Sequence, residues 1–99
     1  MENILKDMNE IEDKAKILKA LSHPIRLCIV RGLIENEGYN VSEMQRCLDI
    51  PQSTLSQHLS KLKDLNILKV EKNGLERNYY VINDDSKKII KTLFPNLSN

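Results

Sequence analysis

No apolar run in the 99 residues is long enough to cross a bilayer. The opening, MENILKDMNEIEDK, carries too many acids for a signal peptide. The expected location is therefore the cytoplasm. Cysteine is scarce, with Cys28 and Cys47 alone. A reducing cytosol keeps most thiols free, and two well-separated cysteines do not make a zinc site. There is no glycine-rich phosphate loop, no placeable set of nucleophile, base and acid, and no paired-carboxylate cleft, so neither an enzyme nor a cofactor is expected. Repeats and low-complexity segments are absent. Excess charge of one sign is missing too. The formal net charge is +1, so the whole-chain balance does not announce a nucleic-acid partner. Its distribution says more, because Pro51 to Lys63 contains no carboxylate while Lys61 and Lys63 are positive, a local pattern that suits a polyanion. A chain this short makes one domain, 1–99. It buries a smaller share of its surface than a large chain, so a partner subunit would help it.

What is present is mostly helical periodicity. In 4–21, Ile4, Met8, Ile11, Ala15 and Leu18 recur at spacings of three and four, widened by Leu5, Ile17 and Leu21. SHPIRL restarts the chain, with Pro24 suited to a first helical turn and Ser22 or His23 available as cap. The helix expected at about 24–35 is apolar nearly all round, as a central buried helix should be. ENEGYN reads as a loop in which Gly38 can take a positive φ. Ser42 and Gln45 have capping-box spacing, opening a short helix at about 42–48 with Met44, Cys47 and Leu48 inward. Pro51 disfavours helical geometry at Ile50 and suits the start of a new helix at about 52–65. A short helix, a tight turn and a longer helix, 42–65, make a helix-turn-helix. Leu68 and Val70 then alternate with Lys69 and Glu71 as in a strand. Asn73-Gly74 signals a hairpin turn, and Tyr79 to Ile82 favour a return strand, giving a wing over 67–83. A last helix is expected at about 85–94. The fold class is mainly α with a small β-hairpin, a winged helix-turn-helix in the order α-α-α-α-β-β-α.

The fourth helix carries an unusual polar face. Leu55, Leu59, Leu62 and Leu65 form its apolar side, while Gln52, Ser53, Thr54, Ser56, Gln57, His58 and Ser60 crowd the rest. A merely solvated helix favours Glu, Lys and Gln in pairs four apart. A DNA major groove admits one α-helix and presents donors and acceptors at its base edges. Gln52, Ser53, Thr54, Ser56 and Gln57, nearest the helix start, are the candidates for bases. His58, Ser60, Lys61 and Lys63 are candidates for phosphates, and the first-turn amides can bind one too. Lys72, Asn73 and Arg77 at the hairpin tip suit the adjacent backbone or minor groove. Arg26 and Arg31 can reach phosphate, but pairing with nearby acids is the more ordinary role, and Glu35 stands four residues after Arg31. Tyr79 and Tyr80 are expected to pack the sheet against the second or fourth helix.

LKALSHPIRLCIV, PQSTLSQHLSKLKDLNIL and NGLERNYYVIND, in that order and spacing, resemble the ArsR/SmtB repressors over roughly residues 15–94. The likeness is nearest to metal-independent members. It implies a homodimer held by the first and last helices, 1–21 and 85–97, with each fourth helix in a major groove of a near-palindromic operator on double-stranded DNA. The interface residues it implies are Ile4, Leu5, Met8, Ile11, Ala15, Ile89, Ile90, Leu93 and Phe94. Family metal sites do not carry over. Asn40 and Ser42 stand at one Cys-x-Cys pair, and Ser86 stands where a second site needs histidine beside Asp84, so no metal is expected. Some members sense redox through cysteines in the second and last helices. Here Arg31 holds the first of those positions and the last helix has no cysteine. Cys28 and Cys47 remain redox candidates, although two small buried hydrophobes are the favoured reading. The expected function is a dimeric transcriptional regulator that occludes a promoter. The alternatives are a winged-helix protein-interaction module and a redox-responsive repressor.

Overall fold

The structure, a computed structural model, describes residues 2–97, with side chains described from Lys6 to Leu97. Five helices and one antiparallel hairpin follow in the expected order: α1 (Glu2–Leu21), α2 (Pro24–Glu35), α3 (Val41–Leu48), α4 (Gln52–Asp64), β1 (Leu68–Asn73), β2 (Glu76–Val81) and α5 (Asp84–Leu93). No helix among the described residues is long and apolar enough to cross a membrane.

Local chemistry fixes the boundaries. His23 caps α2, its Nδ1 accepting from the Ile25 amide at 3.1 Å, with Pro24 in the first turn. The cap of α3 is Asn40, which accepts from the Glu43 amide at 2.9 Å. The cap expected at Ser42 lies two residues toward the N-terminus, on Asn40. Asp49 closes α3 in the left-handed region at φ 54°, its amide bonded to the Gln45 carbonyl. α4 ends in a Schellman motif. Asn66 takes the left-handed position, the Ile67 amide bonds the Leu62 carbonyl, and the Asn66 amide bonds that of Lys63. The hairpin turns on Gly74 and Leu75 rather than on Asn73 and Gly74, since Asn73 still pairs with Glu76. Positive φ falls on Gly74 alone of the two, the pattern of a type II′ turn. The outer edge of β2 is clipped by the loop before α3, through Tyr79 to Tyr39 and Gly38 to Tyr79 backbone bonds.

α2 lies at the centre, touching α1, α4, α5 and β2. Its Val30 and Leu33 meet Leu55 and Leu62 of α4, Leu68 of β1 and Ile90 of α5 in one core. Tyr79 joins that core as expected, and Tyr80 is half-buried. Three expectations are corrected. Cys28 is exposed, because α2 turns the strip Pro24, Cys28 and Arg31 outward. Cys47 is exposed as well, because the inward stripe of α3 runs through Val41, Met44 and Leu48. Ile90, expected at a subunit interface, is 0% exposed. The face of α5 carrying Ser86 and Ile90 is the one packed inward, leaving Leu93 outside.

α1 is different in kind. Among its described side chains only Ile17, Ala20 and Leu21 pack on the domain, and every residue from Lys6 to Lys16 is exposed, Met8, Ile11 and Ala15 included. Ile4 and Leu5 lie outside the described side chains. One ion pair ties α1 to α5, Lys14 Nζ to Asp85 Oδ2 at 2.5 Å. It raises the lysine pKa and lowers that of the carboxyl, chiefly through the hydrogen bond itself. Both groups face water, so the pair adds little stability.

Candidate nucleic-acid interface

α4 buries Leu55, Leu59 and Leu62 and turns its other side outward. Gln52, Ser53, Ser56, Gln57, Ser60, Lys61 and Lys63 are exposed, while Thr54 and His58 are half-buried. Among the helices after α1, α4 is alone in having no side-chain cap. Proline precedes it, and while the Pro51 carbonyl accepts from the Leu55 amide, its side chain has no acceptor to offer the amides of Gln52 to Thr54, which are left to solvent or to an anion.

The hairpin comes beside this face. An open groove of about 450 Å³ is lined by Gln52 and Ser56 of α4, Ser42 of α3, and Leu75, Glu76 and Arg77 of the hairpin. Gln52, Ser56 and Arg77 are thus brought together. Lys72 and Asn73 stand exposed at the hairpin end, outside the groove lining. Sequence reasoning missed Ser42, Leu75 and Glu76. Leu75 could have been found as the residue following the hairpin glycine, and it is fully exposed. Glu76 is an acid among these groups; a carboxylate at a base edge accepts from cytosine. Lys72 sits directly across from Arg77 in the register, and like charges so placed repel. That repulsion would be relieved by a polyanion.

Behind the exposed face lies a cluster that no motif announced. Arg26 Nε–H donates to His58 Nδ1 at 3.1 Å, and the His23 and His58 rings lie 4.6 Å apart, inclined at 53°. Burial, then His23 and Arg26, push the His58 imidazole below the usual histidine range. Arg31 behaves as expected, bonding Glu35 at 3.2 Å, and it also covers the Phe94 ring at 4.3 Å. Phe94 and Ile89 are half-buried. Ser86, at the position where a metal site would need histidine, is enclosed and donates to the Asn83 side chain at 2.8 Å.

Comparison with known proteins agrees with the fold. A helix-turn-helix domain family matches residues 21–71. The transcriptional repressor PagR of Bacillus anthracis is 42% identical over 85 residues, spanning 86% of this chain and 85% of that protein. Its crystal structure superposes with a TM-score of 0.79 at 41% identity, over 87% of this chain and 98% of that one. The transcriptional repressor SmtB of Mycobacterium tuberculosis is 39% identical over 71 residues, 71% of this chain and 52% of that protein.

Proposed function

Because the chain belongs to the ArsR/SmtB family of winged-helix DNA-binding transcriptional regulators, we propose that two copies of it bind a near-palindromic operator and repress transcription by occluding a promoter. α4 enters the major groove from its N-terminal end. Gln52, Ser53, Thr54, Ser56 and Gln57 meet base edges, the glutamines pairing bidentately with adenine. His58, Ser60, Lys61 and Lys63 meet the backbone. The hairpin carries Lys72, Asn73 and Arg77 to the neighbouring backbone or minor groove. The observation that carries this reading is the groove shared by Gln52, Ser56 and Arg77. It joins the reading helix to the wing in one concave surface.

The apolar face of α1, bare on its own subunit, supports a two-fold dimer in which α1 packs against its symmetry mate beside α5. Met8, Ile11, Ala15 and Leu93 are its exposed members, with Ile89 and Phe94 at the rim. Such a dimer spaces its two reading helices about 34 Å apart, one turn of duplex. The work is done in the cytoplasm.

Selection of bound sequences from random duplexes tests the whole reading. The expected outcome is an inverted repeat whose half-sites lie about 10 base pairs apart, centre to centre. Recovery of a single unrepeated site, or of no preferred sequence, would count against it.

A further inference from the structure

Arg26 and His58 join the start of α2 to the middle of α4, thirty-two residues further along the chain. His58 Nδ1 is an acceptor there, at 3.1 Å from Arg26 Nε. An imidazole nitrogen that accepts a hydrogen bond carries no proton, so in the neutral ring the hydrogen sits on Nε2. The guanidinium cannot yield its own proton. A proton added at Nδ1 would therefore set one N–H against another. His23 and Arg26 are the charged and titratable groups that act on the ring, and neither favours a second proton on it. The neighbouring His23 is itself fixed, because its Nδ1 accepts from the Ile25 amide.

We propose that Arg26 is a positioning residue for DNA binding. By donating to Nδ1 it holds His58 as a neutral ring with its hydrogen on Nε2, presenting one uncharged donor in one orientation to a backbone phosphate. This rests on the phosphate contact assigned to His58 above. Arg26 thereby acts on DNA through α4, and the two segments SHPIR and SQHL, far apart in sequence, work as one unit. Half-burial of the ring strengthens the arrangement, since a hydrogen bond gains from partial shelter from water.

Two measurements on the full chain test it. Long-range proton–nitrogen spectra should show His58 at neutral pH with Nδ1 bare and Nε2 protonated, and Arg26→Ala should give a mixture of tautomers. A proton found on Nδ1 in the unaltered protein overturns the proposal without reference to DNA. Fluorescence anisotropy with a random-sequence duplex of about 30 base pairs, at fixed low salt, supplies the second readout. Arg26→Ala should weaken binding about tenfold, the scale of one hydrogen bond to a charged group, and Arg26→Lys should recover most of the loss. Affinity of the unaltered protein should vary little from pH 7.5 to about pH 6, whereas in Arg26→Ala it should rise modestly on acidification, since Nδ1 is then open to a proton while burial and His23 go on opposing the charge. If the unaltered protein binds the duplex and Arg26→Ala matches it in affinity and pH profile, the positioning role is wrong and the DNA reading stands. If the unaltered protein binds no duplex, both fall.

Discussion

His58 is held neutral by burial and by two neighbours, and acid acts against that arrangement. Its folded pKa lies below the value of about 6.5 that an unfolded chain provides. Between the two values the unfolded chain binds a proton that the folded chain refuses. Stability therefore rises with pH through that window, is fully present above about 6.5, and is lost as pH falls toward the folded pKa. Asp85 is depressed by Lys14 and works in the same direction. Its window lies below the ordinary carboxylate value of 3.8, and the pair is solvent-facing. The two are thus separable. Thermal melts between pH 7 and about pH 5.5 should show the melting temperature falling with acid, and His58→Gln should flatten that slope, since glutamine offers Arg26 an acceptor and does not titrate. An unchanged slope in the variant would remove His58 from the acid response.

The wing is where an element was legible in outline and shifted in detail. Alternation in Leu68 to Glu71 and the glycine beside Asn73 sufficed to place a hairpin, because strand period and turn glycine are local properties. The turn itself slid by one residue, since the register set by Leu68 opposite Val81 decides which residues remain unpaired. The same limit appears in α3. Its cap was misplaced by two residues because Asn40 and Glu43 offer capping chemistry as good as Ser42 and Gln45. Cys47 reads as inward in the sequence because a stripe drawn from three apolar residues cannot tell centre from edge. The outward polar face of α4 was legible from side-chain types alone. The groove with Ser42 and Leu75, and the bond from Arg26 to His58, were not, because they join positions that only tertiary packing brings together. The opposed cations Lys72 and Arg77 give the wing a measurable signature. Alanine at either should reduce the slope of log affinity against log salt by about one for each phosphate no longer neutralised. Thermal stability should stay unchanged or rise slightly as the like-charge repulsion is relieved. Salt-titrated anisotropy alongside melting curves reads both. A variant that loses stability with its affinity would make the wing cations structural instead.

At the scale of the molecule the anomaly is α1. Its twenty residues extend about 30 Å, yet among its described side chains only Ile17, Ala20 and Leu21 are packed on the domain. Residues 6 to 16 contribute nothing to their own core. A free helical stretch of the length of residues 6 to 16 is marginal in water, so the bare apolar stripe asks for a partner, and in the proposed dimer a second copy would present the same stripe in reverse across a two-fold axis. Ile11 is the sharpest probe because it is 57% exposed in the single chain. Replacing it disturbs almost no packing within the subunit. Ile11→Glu should leave the far-ultraviolet spectrum near that of the parent, shift sedimentation at micromolar concentration to the monomer, and weaken binding to an inverted-repeat duplex by about 100-fold or more, the scale of avidity that linking two sites supplies. Binding to a single half-site should change far less, because the α4 face and wing of each subunit are untouched. A variant that remains dimeric and keeps its operator affinity would move the interface off α1, and the spacing of the two reading helices would then have to be set by α5 alone.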